Sequence, residues 1–542
     1  MKNSTNIKEQ DPKASNALAP FASSSFLVLW VATVLSNIGT WMHDVGAGWL
    51  MTSLSPSPLY VALVQTATTL PIFLFALPAG ALADVLDKRK LLAVVQIIMA
   101  ITALVFGYTV FRGEITPVLL LVLTFVMGIG AAISAPAWQS IVPSLVPKTL
   151  LQQAVALNSV GINLSRAIGP AIGGVIIGYS ISLPFFVNGF SFLLVVCALI
   201  WWSPSKSAPR ALPVENLFGA LRAGVRYAMN SRPLKATLVR AISFFLFASA
   251  YWALLPLVAK DLLKGDANLY GLMMGAVGLG AVSSAFVLPK IKKRLGANLL
   301  VTTGCLGTAL SMVTLASAYS DALAIASCFL AGVFWLAVLT SLNLSAQVAL
   351  PEWVRARGLA VFVTVFFGSM SLGSIIWGQL SSVLGISQAL IYAALGLVLL
   401  IPFTMRFKLQ LGEGMDLSPS MHWPQPITDN DVQQDRGPVM INIEYQINPE
   451  DQNNFFMVMN KLKEHRLRDG AYTWGLFEDT SKSGRYIEYF MVESWLEHLR
   501  QHERVTHADA EVQATARSYH RGPDRPKVDH YIAANLARWG QK

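Results

Sequence analysis

Two ionisable side chains stand inside long apolar runs of this 542-residue chain: Asp44, next to His43, and Arg166. A charge at membrane depth is costly, so an ionisable residue there marks the route of an ion, a proton or a charged substrate by default. At about 1.5 Å per residue, Asp44 lies about 27 Å and Arg166 about 24 Å along their respective helices, at similar depth. We therefore expect an ion pair between them, with protonation of Asp44 releasing Arg166 as a coupling step. The alternative leaves Asp44 in the outer interface and Arg166 snorkelling or bonded to backbone carbonyls. Neutral polarity comes from Asn37, Gln65, Asn158, Asn163, Gln347 and Gln379, and aromatic walls from Trp41, Trp49, Trp138, Trp252, Trp335 and Trp377. Such a mixture suits an amphipathic organic substrate. Asp44, Arg166, His43, Asn37, Asn158, Asn163 and Trp41 make up the candidate coupling and substrate set.

Other chemistries lack their residues. The three cysteines, Cys197, Cys305 and Cys328, all lie in apolar runs without CxxC or Cys/His spacing, and read as packing residues. No GxxxxGK[ST] sequence occurs, so no nucleotide-binding loop of that kind is expected. His498 and His502 stand one helical turn apart and could hold a metal or line a pocket, but their charged neighbours favour a solvated helix. Trp474, Tyr486, Tyr489 and Trp495 could line a small cavity, with core packing the more frequent role of such aromatics. We expect no cofactor, no metal and no catalytic residues.

The elements that would position these residues follow from composition. Hydrophobic residues make up 54% of the chain and charged residues 13%, against about 25% charged in a soluble protein. Twelve runs reach the roughly 20 residues that cross a bilayer: 26–52, 59–83, 91–111, 116–142, 150–179, 183–202, 238–259, 269–289, 298–318, 321–349, 357–384 and 387–407. An even number puts both termini on one side. Lys88, Arg89, Lys90, Lys148, Arg222, Arg226, Lys290, Lys292, Arg294, Arg355, Arg357, Arg406 and Lys408 share that side, whereas Arg112, Lys260 and Lys264 lie opposite. Basic loops stay in the cytoplasm, which predicts a multi-pass protein of the bacterial inner membrane with both termini cytoplasmic. It also absorbs much of the net charge of +10, so nucleic-acid binding is set aside.

The polar tail 1–20 lacks the apolar stretch and cleavage site of a secretory signal, so the first run is expected to be retained. Two six-helix halves follow, 21–202 and 236–410, joined by a cytoplasmic linker, 203–235. Within it Leu217, Leu221, Val225 and Met229 recur every four residues, with Arg222 and Arg226 on another face, as in a helix lying on the inner leaflet. A Gly/Pro-rich linker, 411–435, leads to a domain at 436–542. There we read strands at 439–447, 473–478, 485–493 and 527–532 and helices at 449–468 and 495–520, the βαββαβ order of a ferredoxin-like fold.

The halves repeat one another. A shift of 204 residues superposes Pro147 on Pro351, Gly169 on Gly373 and Gly174 on Gly378, and Leu59-Tyr60 answers Leu269-Tyr270. After the second run, Gly80-Ala-Leu-Ala-Asp84-Val-Leu-Asp87-Lys88-Arg89-Lys90 resembles the loop signature of the major facilitator superfamily, with Val85 and Asp87 departing from it. Gly169-Pro170-Ala-Ile-Gly173-Gly174 resembles the fifth-helix motif of exporters in that superfamily. The stretch Pro143 to Pro147, then Ala156-Leu157-Asn158 through Arg166, is similar to the bacterial enterobactin-exporter and secretion-effector branch. The C-terminal domain is similar to dimeric α+β barrels that include small monooxygenases.

The resemblance implies an all-α membrane protein of the major facilitator fold plus an α+β domain. It implies alternating access around a central cavity, with a small molecule and protons as partners, the lipid bilayer around the spans and no nucleic acid. Export is the expected direction, import the alternative. The C-terminal domain would pair two copies or sense cargo, with catalysis on the cargo as the other reading. The gating group comprises Gly80, Asp84, Lys88, Arg89, Lys90, Arg355 and Arg357, Gly80 allowing close helix contact and Asp84 facing the start of the eleventh span near Gly358.

Overall fold

The computed structural model describes residues 17–203, 217–410, 416–420, 422–423 and 435–534. Among them, twelve helical segments are long and apolar enough to cross a membrane. The first half comprises α1 (Ser24–Leu54), α2 (Pro58–Val85), α3 (Lys88–Phe111), α4 (Pro117–Leu145), α5 (Leu151–Tyr179) and α6 (Leu183–Trp201). A shorter helix, α7 (Leu217–Asn230), precedes the second half. That half comprises α8 (Arg232–Leu257), α9 (Ala267–Ala316), α10 (Asp321–Val348), α11 (Arg355–Leu384), α12 (Ile386–Leu399) and the short α13 (Ile401–Met405). α9 holds two spans, because Gly296 at φ 68° turns the chain between them, a backbone region that glycine enters at little steric cost.

Polar residues start these helices where the chain enters the apolar phase. Ser23, Asp87, Thr116, Ser231, Asp266 and Ser320 each accept a hydrogen bond from a backbone N–H of the following turn. An unsatisfied N–H at a helix end has no partner in lipid, so such caps fix where a span begins. The cap at Ser231 explains why α8 starts before the expected Leu238, at Arg232.

The internal repeat acquires a physical meaning in the packing. A methyl on Gly169 would sit 2.6 Å from the Trp41 Cβ of α1, and one on Gly373 would run into Leu246 and Ser249 of α8. Each glycine therefore seats the fifth helix of its own half against the first. A methyl on Gly174 would stand 2.9 Å from the Cα of Gly271 in α9, and one on Gly378 would overlap Ala62 of α2. Those two glycines join the halves, each fifth helix against the other half's second. Pro147 and Pro351 each introduce a short 3-10 turn, at Lys148–Leu150 and Glu352–Val354, before the long helix.

The C-terminal domain is a four-stranded antiparallel sheet of β1 (Val439–Gln446), β2 (Thr473–Glu478), β3 (Arg485–Val492) and β4 (Lys527–Ile532), in the order β2-β3-β1-β4. One face carries α14 (Gln452–Asp469), α15 (Trp495–Arg504) and α16 (His507–Ser518), over a core that includes Val439, Ile441, Phe455, Leu462, Phe490 and Trp495. Strand order and helix placement are those of a ferredoxin-like fold. The single helix expected over 495–520 is two, because Thr506 opens α16 with a reciprocal cap to Asp509, and that cap requires non-helical backbone at Thr506.

α7 is not isolated on a membrane surface. Its Gly224 lies against Arg357 of α11, and its Tyr227 hydroxyl donates to the Ala349 carbonyl at 3.0 Å. Val225 and Met229 remain exposed, whereas the side chains of Leu217 and Leu221 lie outside the described residues. The opposite side of α7 holds the C-terminal domain. Arg226 pairs with Glu497 at 3.1 Å, Arg222 with Glu493, and Arg232 of α8 with Glu464 at 2.6 Å. Arg468 lies over the Tyr227 ring at 5.5 Å, and Arg504 over Trp353, just before α11, at 4.5 Å.

Candidate functional site

Where the halves meet they enclose a cavity of about 350 Å³. Trp41 and Asp44 of α1, Gln65, Thr68 and Thr69 of α2, and Arg166 of α5 line it from the first half. Trp252, Tyr270, Met274, Trp335, Phe366 and Met370 line it from the second. On α1 the lining residues Trp41, Asp44 and Gly48 fall at helical spacing, so a single stripe faces inward. α1 runs on to Leu54, ten residues past Asp44, which places that carboxyl within the span and not at its outer end. Most of the remaining wall is aromatic or aliphatic.

Asp44 and Arg166 share this cavity but do not form the expected ion pair; among the described residues no salt bridge joins them. The guanidinium of Arg166 instead lies over the Trp41 ring, 5.6 Å from its centroid, and its Nε has no hydrogen-bond partner. Equal depth on two helices does not bring side chains together when each faces its own sector of the cavity. His43 is also corrected. One residue from Asp44 it points about 100° away, into the first half, where it is buried edge-on between Phe106 and Phe185 with ring centroids 4.9 and 4.8 Å away.

Asn37 and Asn158 line a second cavity of about 350 Å³ inside the first half, with Trp30, Gln96, Trp138 and Gln139. Trp41 borders both cavities. Asn163 lines neither and donates to the Ser159 carbonyl one turn back, at 2.8 Å. Of the other polar and aromatic residues singled out, Gln65, Trp252 and Trp335 reach the central cavity. Trp377 instead donates to the Leu246 carbonyl, and Gln347 to Asn343. Thr69 and Phe366 escaped the sequence reading, and Tyr270 entered it only as part of the repeat, since nothing in a tyrosine, threonine or phenylalanine of an apolar run tells cavity wall from packing.

The halves close on one another at the end where α1 finishes and α2 begins. Lys260 donates to the Thr52 carbonyl at 2.6 Å, Trp49 stacks with Tyr270 at 6.2 Å, and Gly174 meets Gly271 backbone to backbone. Pro170, whose carbonyl would lie 2.8 Å from a methyl on Gly271, completes this seam, whereas Gly173 packs against Met42 of α1 within the first half. Nearer the middle, the Thr69 and Ser371 hydroxyls are 2.7 Å apart.

Several of the loop group's side chains satisfy nearby backbone groups. The side chain of Asp84 lies outside the described residues. Among the described residues nothing lies within 4 Å of where a methyl on Gly80 would sit. Asp87 accepts from the Lys90 N–H at 3.0 Å and caps α3, which accounts for a carboxylate where the superfamily signature has glycine. Arg89 donates to the Leu199 and Ile200 carbonyls at 2.7 and 2.6 Å, a cation placed on the negative end of α6. Lys88 reaches the Ser140 carbonyl. Arg355 bonds the Leu350 carbonyl, and Arg357 packs on α7. Gly358 packs against Leu350.

In the C-terminal domain, α15 is not a solvated helix. His498 is buried, and its Nε2 lies 3.2 Å from that of His502. Burial, then the neighbouring His502 and His530, pushes His498 down to about 3. Burial, then His530 and Arg466, pushes His502 down to about 4. Both are neutral at pH 7. Among the described residues no three His, Cys, Asp or Glu side chains are placed to hold a metal ion. Tyr486 and Trp495 belong to the core, Trp474 donates to Glu488 at 3.0 Å, and Tyr489 stacks on Phe477.

Two pseudo-repeated bundles of six spans around a shared cavity make up the major facilitator fold. Solved structures agree on that fold: a variant of the nucleoside transporter NupG aligns at TM-score 0.59 with 13% identity, over 71% of this chain and 99% of its own. The D-xylose-proton symporter aligns at 0.54 with 14% identity, over 74% and 100%. The chain belongs to the family described as transmembrane secretion effector, whose model matches residues 15–538. Among named relatives, the staphyloferrin A transporter of Staphylococcus aureus is 28% identical over 51% of this chain and 68% of its own length. The multidrug efflux pump Tap of Mycolicibacterium fortuitum is 21% identical over 69% and 93%.

Proposed function

We propose that this transporter is a proton-coupled exporter of amphipathic small molecules, a drug or a siderophore-like metabolite, working by alternating access across the bacterial inner membrane. The carrying observation is the cavity between the halves, which combines an aromatic wall with one carboxyl and one guanidinium. Asp44 is the proton site in this reading: it is the carboxyl on that wall, and among the described residues no ion pair engages it. Relatives named for drug efflux and for a siderophore support the cargo class. The basic loops favour a cytoplasmic location for both termini.

The C-terminal domain is read as a pairing or sensing module. Its most deeply buried carboxylate, Glu488, is held by packing partners, taking Arg466, Tyr445 and Trp474. The test is a metabolomic comparison of cells and medium with and without the protein. Export requires the cargo to accumulate inside cells that lack it and to fall in their medium; the opposite sign would make it an importer.

A further inference from the structure

We propose that the cargo is an organic anion whose acidic group seats on Arg166, its apolar part lying against the aromatic wall. This deepens the transport reading and rests on it. Two charged residue types line the central cavity, and they differ in one respect that decides the matter. A carboxyl such as Asp44 can shed its charge by binding a proton, whereas a guanidinium keeps its charge at any pH a cell meets. The positive charge of Arg166 is therefore the resident charge of the site.

Within the described structure that charge has no carboxylate partner. Its Nε is buried without a hydrogen bond, and the Trp41 ring covers it at 5.6 Å. A ring face softens the cost of a desolvated cation but supplies no acceptor for its five N–H donors. Asp44, Gln65, Thr68 and Thr69 share the lining with Trp252, Trp335, Phe366 and Met370, yet among the described residues none of them is hydrogen-bonded to the guanidinium, and its Nε is left over. A carboxylate, sulfonate or phosphate on the cargo would supply the acceptor, in the paired geometry that guanidinium offers to planar anions. A cationic drug would instead add a second positive charge to a space of about 350 Å³.

The geometry also bears on energetics. An inside-negative membrane potential moves an anion outward, so a cargo of this class is helped in the direction of export.

Binding to the purified full-length protein in nanodiscs at pH 7 tests this, with three probes of one shape: 1-naphthoate, neutral 1-naphthamide and cationic 1-naphthylmethylamine. We expect naphthoate to bind about tenfold tighter than the amide, the worth of a charge-assisted hydrogen bond, and the amine weakest. Arg166→Gln should erase the difference between naphthoate and amide, and Arg166→Lys should keep part of it. If Arg166→Gln does not fold, the wild-type ranking alone decides. Equal or inverted ranking in the wild type, or a preference that survives in Arg166→Gln, overturns the proposal. Because no gradient or direction enters the measurement, its failure leaves export to the accumulation assay, and failure of export leaves the anion preference standing.

Discussion

Asp44 and His43 illustrate how much one residue of helical rotation decides. The first faces the cavity and the second is enclosed by Phe106 and Phe185, yet sequence proximity gave both the same candidacy. If Asp44 carries the coupling proton, Asp44→Asn should reach the membrane in normal amount and transport without response to a pH gradient. With one proton per cargo, each pH unit supports about a tenfold cargo gradient, and that factor should vanish in proteoliposomes of the variant. An intact pH response would remove the role. What was legible at this scale was residue type within an apolar run: Asp44, Arg166, Trp41, Gln65, Asn37 and Asn158 all border a cavity. Azimuth was not legible, because uniformly apolar spans carry little periodicity to say which side faces inward. Asn163 and His43 were misplaced for that reason.

Helices and strands were the most legible level, since length and hydropathy set the spans and polar caps set their ends. The break at Thr506 was visible only as a Thr-x-x-Asp spacing inside a helical pattern. The glycines of the seam carry a prediction of their own. A methyl at position 174 would meet the Ala267 carbonyl at 2.8 Å and the Gly271 Cα at 2.9 Å, both backbone. Overpacking of this kind costs about 1–3 kcal/mol. Gly174→Ala should therefore shift the population toward separation of α5 from α9, by about fivefold to a hundredfold, read as a longer spin-label distance between their ends. An unchanged distance distribution would show that the seam yields elsewhere. In α15 the paired imidazoles predict a pH effect with a definite sign. His498 and His502 sit at about 3 and 4 when folded and near 6.5 when unfolded. The unfolded chain thus binds more protons in that window, so the domain should lose stability as pH falls from about 6.5 toward 4. Faster hydrogen exchange in β1 and β3 at pH 4.5 than at pH 7, after correction for intrinsic rates, checks it. His502→Asn should flatten the trend.

At the scale of the whole molecule, the ion pairs and ring contacts between the C-terminal domain and the spans fall on α7, the start of α8 and the turn before α11. Arg226 and Glu497, both mostly shielded from solvent, are the natural place to break them. Glu497→Arg should free the domain and speed proteolysis between 411 and 434, and adding Arg226→Glu should restore at least part of the protection. Equal cleavage of all three forms would deny the dock. The sheet face away from the helices leaves Phe477 and Tyr531 exposed, a bare surface of the sort that pairs with a second copy. Fragment 435–542 should scatter light as a dimer and Phe477→Asp as a monomer; a wild-type monomer would refute pairing through that face. The one-sided dock has a mechanical corollary. If two copies join through their sheets, each sheet is bolted by its helices to the second half of its own chain, so the joined second halves become a common stator. The first halves would then be the rotors, each free to turn without disturbing its neighbour, and two transport cycles could run out of step within one assembly.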